Sequence, residues 1–121
     1  MNAVIDTNIL IDYLKGIDSA SEELSLYQQP YISIITWIEI MVGSQSDEES
    51  HTLRRFLSRF QLVQVNASIA ETAVKLRKAH KIRLPDAIIW ASAQTTDRIL
   101  VTRNTRDFSQ SHPSVRVPYV L

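Results

Sequence analysis

The chain has 121 residues, 45% hydrophobic and 21% charged, with two glycines, four prolines and no cysteine. This composition suits one soluble globular domain spanning 1–121 and excludes disulfides, thiolate-bound zinc and a cysteine nucleophile. Thirteen basic residues balance thirteen acidic ones, so binding nucleic acid through a uniformly basic surface is excluded, and any anionic partner must meet a local patch. Neither a basic leader followed by an apolar run nor the ~18–20 apolar residues of a membrane span is present, which points to the cytoplasm.

The first apolar run, Val4-Ile5, reads as a buried strand ending at Asp6. Helical spacing of Ile9, Leu10, Tyr13 and Leu14 follows and is closed by Gly16, and Ser19 to Tyr27 predicts a second helix. After Pro30, the β-branched run Tyr31 to Ile35 predicts a strand, and Thr36 opens a helix through Val42. Asp47 to Phe60 predicts a helix, Leu62 to Val65 a strand, and Ser68 to His80 a long helix. Leu84-Pro85 punctuates the chain; Asp86 then lies in the first turn of an apolar helix, Ala87 to Ala93. Ile99 to Val101 and Val115 to Val117 supply two more strands. Short strands, apolar on both faces and alternating with helices, predict a mainly parallel central sheet in a three-layer α/β/α sandwich. Ligand sites in such sheets lie beyond the carboxyl ends of the strands.

Four acids, Asp6, Glu39, Asp86 and Asp107, are the candidates, three of them within reach of that edge. Each has an ordinary structural reading. Asp6 and Asp86 suit helix starts, Thr36 with Glu39 matches a capping box, and Asp107 suits a turn. Together those readings explain less, because Ala3-Val4-Ile5, Ile38, Ile40 and Ala87-Ile88-Ile89 set three of the acids in core-like sequence, where unpaired charge is costly. Four clustered carboxylates stay ionised only beside positive charge. An all-oxygen donor set selects Mg²⁺ or Mn²⁺, ions suited to hydrolysing phosphodiester bonds.

The segments Val4-Ile-Asp-Thr-Asn-Ile-Leu-Ile-Asp12, Ser33-Ile-Ile-Thr-Trp-Ile-Glu-Ile-Met-Val-Gly43, Leu84-Pro-Asp-Ala-Ile-Ile-Trp-Ala-Ser-Ala93 and Leu100-Val-Thr-Arg-Asn-Thr-Arg-Asp-Phe108 together resemble the PIN-domain family, in particular the VapC-type toxins of toxin–antitoxin pairs. The resemblance covers nearly the whole chain. It implies an endoribonuclease that uses Mg²⁺ or Mn²⁺ held by Asp6, Glu39, Asp86 and Asp107, and that inhibits translation. It also implies a homodimer restrained by a cognate antitoxin whose tail crosses the active-site groove. Thr7 and Asn8 match positions that brace the site, Thr102 a supporting hydroxyl, and Asn104 a position where many relatives carry Asp.

Lys75 to Arg83 is a basic stretch without an acid, running directly up to Asp86, and it suits either RNA phosphates or a solvated helix face. Arg83, Arg103 and Arg106 are candidate substrate contacts; for Arg103 and Arg106, ion pairs with nearby acids are the alternative. Trp37 and Trp90 suit core or interface positions, and His51, His80 and His112 show no metal spacing. Asp12 lies one and a half turns beyond Asp6 and is expected to face away from the site. Two other functional classes remain. An aspartyl-phosphate phosphatase needs a second Asp where Asn8 stands. A non-catalytic PIN-like module binding RNA or protein would be expected to lack one of the acids.

Overall fold

Side-chain alternation along very short strands organises the molecule. The computed structural model describes residues 2–109 and 111–121. Its elements are β1 (Ala3–Ile5), α1 (Thr7–Leu14), α2 (Asp18–Leu24), β2 (Tyr31–Ser33), α3 (Ile34–Val42), α4 (Asp47–Leu57), β3 (Gln61–Val63), α5 (Ala67–His80), α6 (Leu84–Thr95), β4 (Ile99–Val101) and β5 (Val115–Arg116). The strands form one sheet in the order β3-β2-β1-β4-β5, with every neighbouring pair parallel. Val4 and Leu100, opposite each other in register, pack with Ile69, Ala73 and Leu76 of α5 and Ala87, Ile89 and Trp90 of α6. Their strand neighbours Ala3, Ile5 and Val101 point to the other face, among Ile9, Leu10, Ala20, Ile40, Phe56 and Leu57 from α1 to α4. Period-two side chains on strands buried on both faces thus create two cores, and the expected α/β/α sandwich with a parallel sheet is what forms. No helix among the described residues is long and apolar enough to cross a membrane.

Four boundaries differ from the expected ones, two of them beside the site. The strand expected to run to Ile35 stops at Ser33, whose extended backbone (φ −69°, ψ 150°) and Oγ cap α3 by accepting from the Ile35 N–H at 3.0 Å. Thr36 is therefore inside the helix instead of at its cap, and the expected capping box with Glu39 does not form. The helix carrying Asp86 starts at Leu84, with Pro85 in the first turn, where its missing N–H costs nothing. β3 covers Gln61–Val63, not Leu62 to Val65, and β5 ends at Arg116. Ser33→Ala is expected to lower stability by about 1 kcal/mol, read as a lower urea midpoint at unchanged m-value; an unchanged midpoint would show that the cap contributes nothing.

Strand order reverses between β1 and β4. From β1 the chain winds outward to β2 and β3, then returns to the other side of β1. Connections leave the sheet in opposite directions there and open a crevice beyond the carboxyl ends of β1 and β4.

Candidate active site

Asp6 follows β1 directly, and its N–H continues the ladder to the Val101 carbonyl at 2.9 Å. It caps α1, with Oδ1 accepting from the Thr7 N–H at 2.7 Å. Oδ2 accepts from the Thr102 hydroxyl, just past β4, at 2.7 Å and from Asn8 Nδ2 at 3.2 Å. Asp6 is buried. Burial pushes its carboxyl up to about 6, against the hydrogen bonds from Thr102 and Thr7, and the charges of Asp86 and Glu39 add to the rise.

Glu39 is an exposed residue of α3. Thr7 Oγ1 lies 2.7 Å from its Oε1 and 2.9 Å from the hydroxyl of the fully buried Thr36. Thr7 has a single hydroxyl proton, and the carboxylate is the stronger acceptor, so Thr7 donates to Glu39 and Thr36 donates to Thr7. The relay exists because α3 begins early enough to place Thr36 inside it.

Asp86, in the first turn of α6, is buried, and burial raises its carboxyl above the usual range. Asp107 moves the opposite way: the bond from Asn104 Nδ2, at 2.9 Å, holds it below the usual range. Asn104 Oδ1 accepts from the N–H groups of Arg106 and Asp107, each at 3.2 Å, and its own N–H donates to Thr102 Oγ1 at 3.0 Å. The Asn104 amide thus orients Asp107 and closes the turn, with its oxygen already engaged.

Arg83, just before α6, places Nε 3.0 Å from Asp86 Oδ2 and Nη2 3.9 Å from Asp107 Oδ2. Arg106 is exposed. Arg103 turns away. Its Nε and Nη2 donate to Asp12 at 2.7 and 3.0 Å, and the Tyr119 hydroxyl donates to the same carboxylate at 2.7 Å. Of the two expectations for Arg103, the ion pair is formed, with Asp12. Asp12 is buried and is held by Arg103 and Tyr119. Trp90 is core, against Phe108.

Of two surface hollows, one reaches the site and the other lies at the opposite edge of the sheet. One of about 470 Å³, lined by Ile11, Leu14, Ile40 and Leu53 among others, reaches Glu39. Another of about 580 Å³ lies among Asn2, Gln28, Gln29 and Tyr31, at the amino ends of the strands, and contains none of the four acids.

The donors suit a hard divalent cation in kind: they are all oxygen, two of the carboxyls are raised by burial, and Asp6 feels the charges of Asp86 and Glu39. They are not drawn to chelating distance, since no three acidic or histidine side chains among the described residues converge enough to hold a metal. Arg83 meanwhile supplies positive charge to two of them.

The family model for the PIN domain matches residues 3–111. The chain belongs to the PIN-domain family. This PIN domain is similar to a chain of a toxin–antitoxin complex from Klebsiella pneumoniae, with 43% identity over 98% of this chain and 99% of that one and a TM-score of 0.92. It is also similar to a chain of VapBC2 from Rickettsia felis, solved with a DNA fragment from its promoter: 26% identity, 95% and 96% coverage, TM-score 0.79. A chain of VapBC-1 from nontypeable Haemophilus influenzae gives 25% identity, 92% coverage of each chain and a TM-score of 0.77. No curated protein matches. These relatives place the PIN domain with the VapC-type toxins, a nuclease family that generally uses divalent metal ions.

Sequence reasoning passed over Thr36, read as a cap, and the Asp12–Arg103–Tyr119 cluster. The signal for the cluster was weak: an acid inside the apolar stretch Ile9 to Tyr13.

Proposed function

We propose that this PIN domain is a divalent-metal-dependent endoribonuclease, the toxin of a toxin–antitoxin pair, acting in the cytoplasm to inhibit translation. The observation that carries the reading is Asp6: a buried carboxyl at the topological switch point, clamped by Thr102 and the Thr7 N–H, that senses two further carboxylates. Asp6, Glu39, Asp86 and Asp107 would hold Mg²⁺ or Mn²⁺. When bound, such an ion lowers the pKa of a coordinated water and neutralises charge on a reacting phosphodiester.

The chain's own residues do the rest. Thr7 and Thr36 aim Glu39, Thr102 and Asn8 aim Asp6, and Asn104 aims Asp107. Arg83 and the exposed Arg106 face incoming phosphates, whereas Arg103 supports the loop between Thr102 and Asn104. An antitoxin segment finds an apolar seat in the hollow among Ile11, Leu14, Ile40 and Leu53, from which its tail reaches Glu39. The family resemblance adds a homodimer, which light scattering of the purified chain checks.

The direct test incubates partner-free protein with mixed tRNA and rRNA in Mg²⁺, Mn²⁺ or EDTA, alongside Asp86→Asn. Discrete fragments with metal, absent in EDTA and in the variant, are expected. Intact RNA throughout, bound equally well in EDTA, would favour a non-catalytic RNA-binding module.

A further inference from the structure

Arg83 differs from the other arginines around the site. Arg103 is pinned to Asp12 and Arg116 to Glu23, each acceptor being almost fully buried. The Arg83 side chain is 73% exposed and makes no helix-capping bond, yet its guanidinium lies against Asp86 and within 3.9 Å of Asp107. Among the described residues it is the cation paired with these four acids. Asp86 and Asp107 both lie beside this one guanidinium, so Arg83 supplies positive charge to the two acids together.

We propose that Arg83 is an exchangeable internal counter-ion: it competes with the divalent cation for Asp86 and Asp107 and, once displaced, binds the phosphodiester of the RNA. The proposal rests on the metal-dependent reading above. Its physical basis is that a dication on the same carboxylate oxygens repels a guanidinium, while an exposed arm at a helix start moves into water without disturbing the core. The freed fork of donors matches phosphate geometry, and its anchor stays beside the acids where a scissile phosphate would sit. One side chain thereby acts with opposite sign on two binding steps. It weakens metal binding in the absence of RNA and strengthens RNA binding once metal is present, so each ligand favours the other.

The test compares the full chain with Arg83→Gln. Calorimetric titration with Mn²⁺ alone measures the first step. Fluorescence anisotropy of a labelled 20-nucleotide single-stranded RNA of mixed sequence, in Ca²⁺ and over a range of salt, measures the second. Arg83→Gln is expected to bind Mn²⁺ about three- to tenfold more tightly, as loss of an exposed competitor allows. It is expected to bind the RNA about three- to tenfold more weakly, with a salt slope reduced by about 1. Mn²⁺ affinity equal to or below wild type, or unchanged RNA affinity, would overturn the counter-ion role while leaving metal dependence standing. Wild type that takes up no Mn²⁺ would overturn both.

Discussion

Asp6→Asn is expected to abolish RNA cleavage while making the metal-free protein more stable at neutral pH. Burial raises the folded Asp6 carboxyl from 3.8 to about 6, so the native state holds that proton more tightly than the unfolded chain does. The associated stability is fully present below about pH 4 and is lost as pH rises through about 6. A gap of about two units corresponds to roughly 3 kcal/mol at pH 7. Asparagine removes the penalty but gives up part of the Thr102 contact, for a net gain of about 1–2 kcal/mol. Melting curves in EDTA from pH 4 to 8 are the measurement. The stability of the variant relative to wild type should grow by about 2–3 kcal/mol between pH 4 and 7, and parallel curves would contradict the assignment. Added Mn²⁺ should raise the melting temperature of wild type alone. Cleavage should fall at least ~10³-fold, the scale of losing a principal electrostatic group in an active site.

Asp12→Ala carries the second large effect, on both stability and the site. The Asp12 carboxylate is buried and accepts from Arg103 Nε, Arg103 Nη2 and the Tyr119 hydroxyl. Burial pushes its carboxyl up, but the bonds from Arg103 and Tyr119, with the Arg103 charge, outweigh burial and leave it below the usual range. Removing one partner of a buried pair costs about 3–5 kcal/mol. The Arg103 side chain is 33% exposed and can reach water, so a loss of about 2–3 kcal/mol is expected, roughly 10 °C in Tm for a chain this size. Arg103 also lies between Thr102, which bonds Asp6, and Asn104, which orients Asp107, and its N–H donates to Asn8 Oδ1. Metal affinity and cleavage should therefore fall with stability. A lower Tm with unchanged Mn²⁺ affinity would confine Asp12 to the fold.

Element order and both sheet faces were readable because strands buried on two sides must be apolar throughout, whereas helices such as α4 show a stripe. The acids stood out because, beside Val4-Ile5 and Ala87-Ile88-Ile89, helix-start readings taken singly explain less than one shared site does. The start of α3 was hidden: Ile34 and Ile35 carry strand propensity, and only the Ser33 cap and the packing of Ile40 decide for helix. The buried pairs were hidden for a different reason. Asp12 and Arg103 are 91 positions apart and Glu23 and Arg116 are 93 apart, and local patterning carries no information about such partners. The two roles open to Arg103 could not be separated without them.

Asp6 and Thr102 are separated by 96 positions, and the strands that carry them pair at the centre of the sheet. Closing so long a loop is entropically expensive and slow, and local contacts cannot substitute for it. The first half of the chain brings Asp6 and Glu39; the second brings Asp86 and Asp107. A chain whose two halves have not yet docked therefore holds at most two of the four carboxylates in place. Nuclease competence should appear during refolding only with the last, global phase, and a single proteolytic nick between α5 and α6 that let the halves separate would silence the site without touching any of its residues.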